Sequence, residues 1–100
     1  MKMYIAVKDN VPEGFAILSA AHASLACYKK FENHPDMQEW VNGIFYKVIC
    51  KVDEKEFERL RKVEDHIVLS ESALDNQEVS IAFRPREEYP KMFKFLKLWR

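Results

Sequence analysis

The sequence predicts an α/β fold, a mixed sheet of about four strands with helices on both faces. Three observations carry that expectation. The chain opens on a short apolar, β-rich run, MYIAVK, and its clearest strand, IFYKVICKV, comes only after two helical patterns. An amphipathic helix, DEKEFERLRKVED, then precedes two further strand-like runs, so helices stand between strands. Those last runs, HIVLS and EVSIAF, are joined by ESALDNQ alone, which requires an antiparallel neighbour and makes the sheet mixed.

Taken in order, MYIAVK reads as a buried strand and DNVPEG as the turn that ends it, holding one of only two glycines in the chain. Residues 14–28 are helical. Ile17, Ala21, Ser24 and Tyr28 form one stripe, Leu18, His22 and Leu25 a second, and Ala16, Ala20, Ala23 and Cys27 a third. With three apolar or small stripes this helix is expected to be mostly covered, its alanines letting the backbone sit close to a sheet. His34-Pro35 breaks the pattern, and Asn33 or Asp36 is expected to start a short helix ending near Gly43. Asp53 can cap the next helix, with Phe57, Leu60 and Val63 facing inward. At the end of the chain, Pro90 opens a helical turn or two that places Met92, Phe95, Leu96 and Trp99 on one face. The chain therefore divides into a domain over 1–86 and an amphipathic segment over 87–100. That segment packs on the domain or on a second subunit, the latter giving a homodimer.

Composition narrows the function. One hundred residues, 48% of them apolar, suit one domain with its own core. Sixteen basic and sixteen acidic residues cancel, so any nucleic-acid binding must rest on a local patch. Cys27 and Cys50 have no metal-ligand spacing and lie in apolar runs, as buried thiols of a reducing cytoplasm would. His22, His34 and His66 share no ligand spacing either, so no metal or other cofactor is expected. The opening MKMYIAVKDN turns charged too soon for a signal peptide, and no stretch is apolar enough to span a bilayer. A cytoplasmic protein with no membrane partner is expected.

The order VKDN, EGFAILSAAHAS, a tryptophan, a glycine, KVICKV, FERLRK and VSIAFRP resembles the type 2 peptidyl-tRNA hydrolase superfamily over nearly the whole chain up to Pro85. In that family a Gly-Lys pair leads into a small-residue helix written roughly Ala-Ala-Gln-x-x-His-Ala. A tryptophan, a glycine, a lysine-bearing strand, an Asp-Ala-Gly loop and a strand ending in Gly-Pro follow. Gly14 falls on the glycine of the pair, His22 and Ala23 on His-Ala, Trp40 and Gly43 on the tryptophan and glycine. Lys47 falls on the strand lysine with a one-residue adjustment, and Pro85 on the closing proline. Phe15 stands where the family has lysine, Ser19 where it has glutamine, and ESALDNQ where it has Asp-Ala-Gly.

The resemblance implies hydrolysis of the ester joining a peptide to the terminal ribose of tRNA, with tRNA or a peptidyl ester as partner. That reaction needs a base for water, a donor or cation for the oxyanion, and positive charge for phosphates. His22 is the candidate base, with Glu71 or Asp75 to orient it at the rim of a cleft between the first helix and residues 71–75. Its other reading is a satisfied core histidine. Lys8 and Lys47 can supply cationic character, or be solvated lysines at the sheet margin; with Gly14 and Ser19 they complete the candidate substrate-binding set. A Ser19–His22 nucleophile is disfavoured, because no strained elbow surrounds the serine. Basic and aromatic residues alternate in the tail, which suits RNA or a membrane surface, or packing on the domain or a second subunit. Two functions follow: a divergent hydrolase, or a non-catalytic member of the fold binding a small ligand, RNA or a protein.

Overall fold

A computed structural model describes all 100 residues. The chain is an α/β sandwich of β1 (Met3–Lys8), α1 (Glu13–Phe31), α2 (Pro35–Asn42), β2 (Lys47–Val52), α3 (Glu54–Leu60), β3 (His66–Glu71), β4 (Gln77–Phe83) and β5 (Lys97–Leu98). Short 3₁₀ turns cover Ser72–Leu74 and Lys91–Phe95. The five-stranded sheet runs β3-β4-β1-β2-β5, one strand more than expected, because the end of the chain adds β5. Only β1 and β2 are parallel, with α1 and α2 as their crossover; the other three pairings are antiparallel.

β1 is central and covered on both faces, which is why it reads as an unbroken apolar run. Met3, Ile5 and Val7 face α1 and α2, where they join Ala16, Ala23 and Trp40. Ala6 faces α3 and packs with Cys50, Val52, Phe57 and Leu60. In β4 the pairing with β3 shifts register between Leu69 and Ser70, leaving Val79 without a partner. That bulge lets Val79 and Ala82 share the α1 face, while Ile81 and Phe83 take the other.

Local chemistry sets the boundaries. Asp53 and Glu56 form a reciprocal capping box at α3, with backbone N–H donors 2.8 and 2.9 Å from the two carboxylates. α2 is capped by His34, not by Asn33 or Asp36: its Nδ1 accepts the Asp36 N–H at 3.0 Å. β2 begins at Lys47 rather than Ile44, because Phe45 sits at φ 45°, outside any strand geometry.

The tail forms a 3₁₀ turn followed by β5, not a longer helix. Phe93 is its buried ring, edge-on to Phe83 at 4.9 Å and Tyr4 at 5.2 Å, whereas Phe95 is 74% exposed. A three-residue turn brings Phe93 and Leu96 to the same side, where the α spacing had favoured Phe95. Beyond β5, Trp99 donates its backbone N–H to Ile49 at 2.9 Å and its ring receives Lys51 Nζ at 4.3 Å. No helix is long and apolar enough to cross a membrane.

Candidate functional site

α1 positions the candidate histidine, and its amphipathicity runs opposite to the usual sense. The side against the sheet carries small residues: Ala16, Ser19, Ala23 and Cys27 are buried. Its larger residues point outward, Ile17 at 65%, Leu18 at 43% and Leu25 at 62% exposure. The helix is thus covered on one side only, and His22 is exposed among those outward residues rather than sealed in the core. Small side chains let α1 approach the sheet closely, and the apolar surface thereby displaced outward is of the kind that marks recognition sites.

Ser19 turns away from His22. Its hydroxyl lies 2.6 Å from Ser80 Oγ on β4, and both residues are buried, so the pair ties helix to sheet and offers solvent neither nucleophile nor substrate contact. Phe15, at the lysine position of the resemblance, packs its half-buried ring onto the α1-side core, as does Leu74 from the hairpin. Gly14 is exposed, and a side chain placed there would meet nothing within 4 Å, so no close approach demands a glycine.

β1 and β3 both pair antiparallel with β4, so the β3–β4 hairpin shares one end of the sheet with the start of α1. The Glu71 carboxylate nonetheless serves the hairpin. Glu71 accepts the Ala73 N–H at 3.2 Å, and Asp75 sits at φ 54°, a left-handed position its side chain tolerates. No hydrogen bond joins His22 to either, and none of the five main cavities is lined by His22, Glu71 or Asp75.

The two candidate lysines part company. Lys8, ending β1, faces α3: it is 6% exposed, donates to Glu54 Oε1 at 3.0 Å, and lies 4.6 Å from the centre of the Phe57 ring. Lys47, starting β2, faces α1 and α2. It stands 5.3 Å from the Trp40 ring and 4.6 Å from that of Phe45, and donates to Phe45 O at 3.1 Å. The ion pairs of the fold involve Lys8, Arg61 and Arg84, leaving the Lys47 charge without a carboxylate. Lys47 closes one end of an apolar groove of about 370 Å³ between α1 and α2, lined also by Leu25, Tyr28, Trp40 and Phe45. Leu25 is three residues from His22 along α1, and His22 itself is not among the residues lining the groove.

Sequence reasoning passed over two residues. Arg84 stands where the resemblance has glycine; it is 8% exposed and reaches Asp36 at 2.7 Å, Asp65 at 3.0 Å and the Pro85 carbonyl at 2.8 Å. It locks α2, the turn before β3 and the end of β4 together, and nothing in its local sequence announces this. Phe45 holds a left-handed backbone that costs a β-carbon residue about 1–2 kcal/mol. Strain of this kind gathers at functional sites. Its neighbourhood is fixed by the Tyr46 carbonyl, which accepts from Trp40 Nε1 at 2.8 Å and from the Met3 N–H at 3.0 Å.

The chain is a mixed α/β sandwich with an exposed histidine on a helix whose buried side is small residues. The family described as Peptidyl-tRNA hydrolase PTH2 matches residues 1–88, and the chain belongs to that family. Among curated proteins, none matches the chain. The match stops at Glu88, so Phe93 and β5 lie beyond it.

Proposed function

We propose that this chain is a divergent peptidyl-tRNA hydrolase that recognises a tRNA-linked ester and hydrolyses it slowly, with His22 as the base and Lys47 as a phosphate contact. The observation that supports the reading is the exposure of His22 on α1, three residues from Leu25 in the wall of the Lys47 groove. Slowness follows from the groups that are missing or occupied. Phe15 offers no charge to an oxyanion, Lys8 is paired with Glu54, and Glu71 caps its own turn. One absent preorganised donor typically lowers the rate a hundredfold or more.

Release of free tRNA from purified peptidyl-tRNA tests this. The wild-type rate should lie at least about a hundredfold below that of a lysine-bearing family member. H22A should lower the remaining rate about a hundredfold again. Turnover equal to that of the lysine-bearing member refutes the divergence, and an unchanged H22A rate removes His22 from the role of base. Tight binding without turnover favours the second reading, a non-catalytic binder, for which the occupied carboxylate of Glu71 already speaks.

A further inference from the structure

We propose that the groove between α1 and α2 is a nucleotide subsite, taking the terminal nucleotide of tRNA with its base on the Phe45 ring and its phosphate at Lys47. The inference rests on the reading of the substrate as a tRNA-linked ester and specifies where its nucleic-acid end sits. Three observations converge. The groove, at about 370 Å³, is in the range of small-ligand sites, and it is walled by Tyr28, Trp40, Phe45 and Leu25. Aromatic faces hold bases by stacking without reading their sequence. Phe45 is 51% exposed, Trp40 meets it edge-on at 6.1 Å and Lys47 Nζ lies 4.6 Å from its centre, so a base would stack on the ring face opposite the ammonium.

Charge supplies the second constraint. The Lys47 ammonium has no carboxylate partner and spends one donor on the Phe45 carbonyl, which leaves two for an anion. A flat apolar body bearing one anionic group matches this wall, and a nucleoside monophosphate is such a body. Backbone strain supplies the third. At φ 45° a glycine would be at ease, yet the position carries a large exposed ring. Kept half in solvent at a strained position, the ring has surface to spare for a contact beyond those it makes with Trp40 and Lys47.

The test is titration of the full chain with adenosine 5′-monophosphate and with adenosine, followed by amide NMR shifts. Saturable shifts at Ala21, Leu25, Phe45 and Lys47 are expected, with adenosine at least fivefold weaker. F45G should weaken AMP at least tenfold without lowering the melting temperature, since glycine relieves the strain. K47Q should bind AMP no better than adenosine. The inference is overturned if the groove does not respond at saturating AMP, or if the shifts centre on the basic cleft around Lys2, Arg86 and Lys91. Wild-type affinity in F45G or in K47Q also overturns it. Failure here is separable from failure of the proposed function. A chain that binds AMP in the groove without releasing tRNA loses only the hydrolase reading, and a chain that releases tRNA with a silent groove loses only this subsite.

Discussion

Phe15, in the first turn of α1, stands where the resemblance places a lysine, and its ring is half-buried on the core. F15K should therefore trade one property for the other. Ester hydrolysis, measured as tRNA release, is expected to rise by on the order of a hundredfold. Stability to urea should fall by about 1–3 kcal/mol as the ring leaves the core. A faster enzyme with unchanged stability would mean that the ring contributes nothing to the fold, and an unchanged rate would mean that the position is remote from the ester. Ser19 and Ser80 make a second residue-scale case. Each hydroxyl is buried and bonded only to the other, so S19A strands Ser80 at a cost of about 1–3 kcal/mol. The S19A/S80A double variant should recover most of that loss, because removing both partners leaves no unpaired group. A double-mutant cycle in urea reads the coupling directly. Two additive losses would show that the hydroxyls do not hold each other.

At the scale of elements, what could be read from the sequence depended on whether one side chain's chemistry decided the matter. β1, β3, β4 and α3 were legible because apolar runs and the Asp53 cap speak locally. α1 was legible as a helix, but its buried side was not. Hydrophobicity nominates Ile17, Leu18 and Leu25, whereas closeness to the sheet selects Ala16, Ser19 and Ala23, which only the packed structure reveals. The same inversion made His22 look like a core residue. Where β2 starts was hidden by the φ of Phe45, and the reach of Arg84 spans residues 36 to 85, beyond any local pattern. The tail offers the element-scale prediction. Truncation after Tyr89 removes the buried Phe93 ring and β5, so stability should drop by at least about 3–5 kcal/mol, the usual cost of a core phenylalanine. Differential scanning calorimetry checks it; an unchanged melting temperature would show that the tail only rests on the fold.

For the molecule as a whole, pH exposes how the two cores are sealed. Burial pushes the phenols of Tyr4 and Tyr89 above their ordinary value near 10. Above pH 10 the unfolded chain has lost protons that the native chain retains, so stability is full below that pH and falls as pH rises further. In a titration followed at 295 nm, Tyr4 and Tyr89 should ionise later than a free phenol, Tyr89 only as the circular dichroism signal collapses. A folded protein in which Tyr4 and Tyr89 have both ionised by pH 10 would contradict this. Burial likewise drives the Cys27 thiol to about 12 and that of Cys50 to about 11, and native protein at pH 8 should resist thiol reagents until denatured. The sheet order also bears on how the chain is made. Its first-synthesised strand is the central one, and Ile5 pairs with Ala82 near the other end of the sequence. A nascent chain stopped before β4 carries β1 with one edge bare, and the last edge of β2 waits for Lys97 and Leu98. The sheet therefore cannot close piece by piece during translation; it closes late, and until then an apolar strand edge is open to other chains.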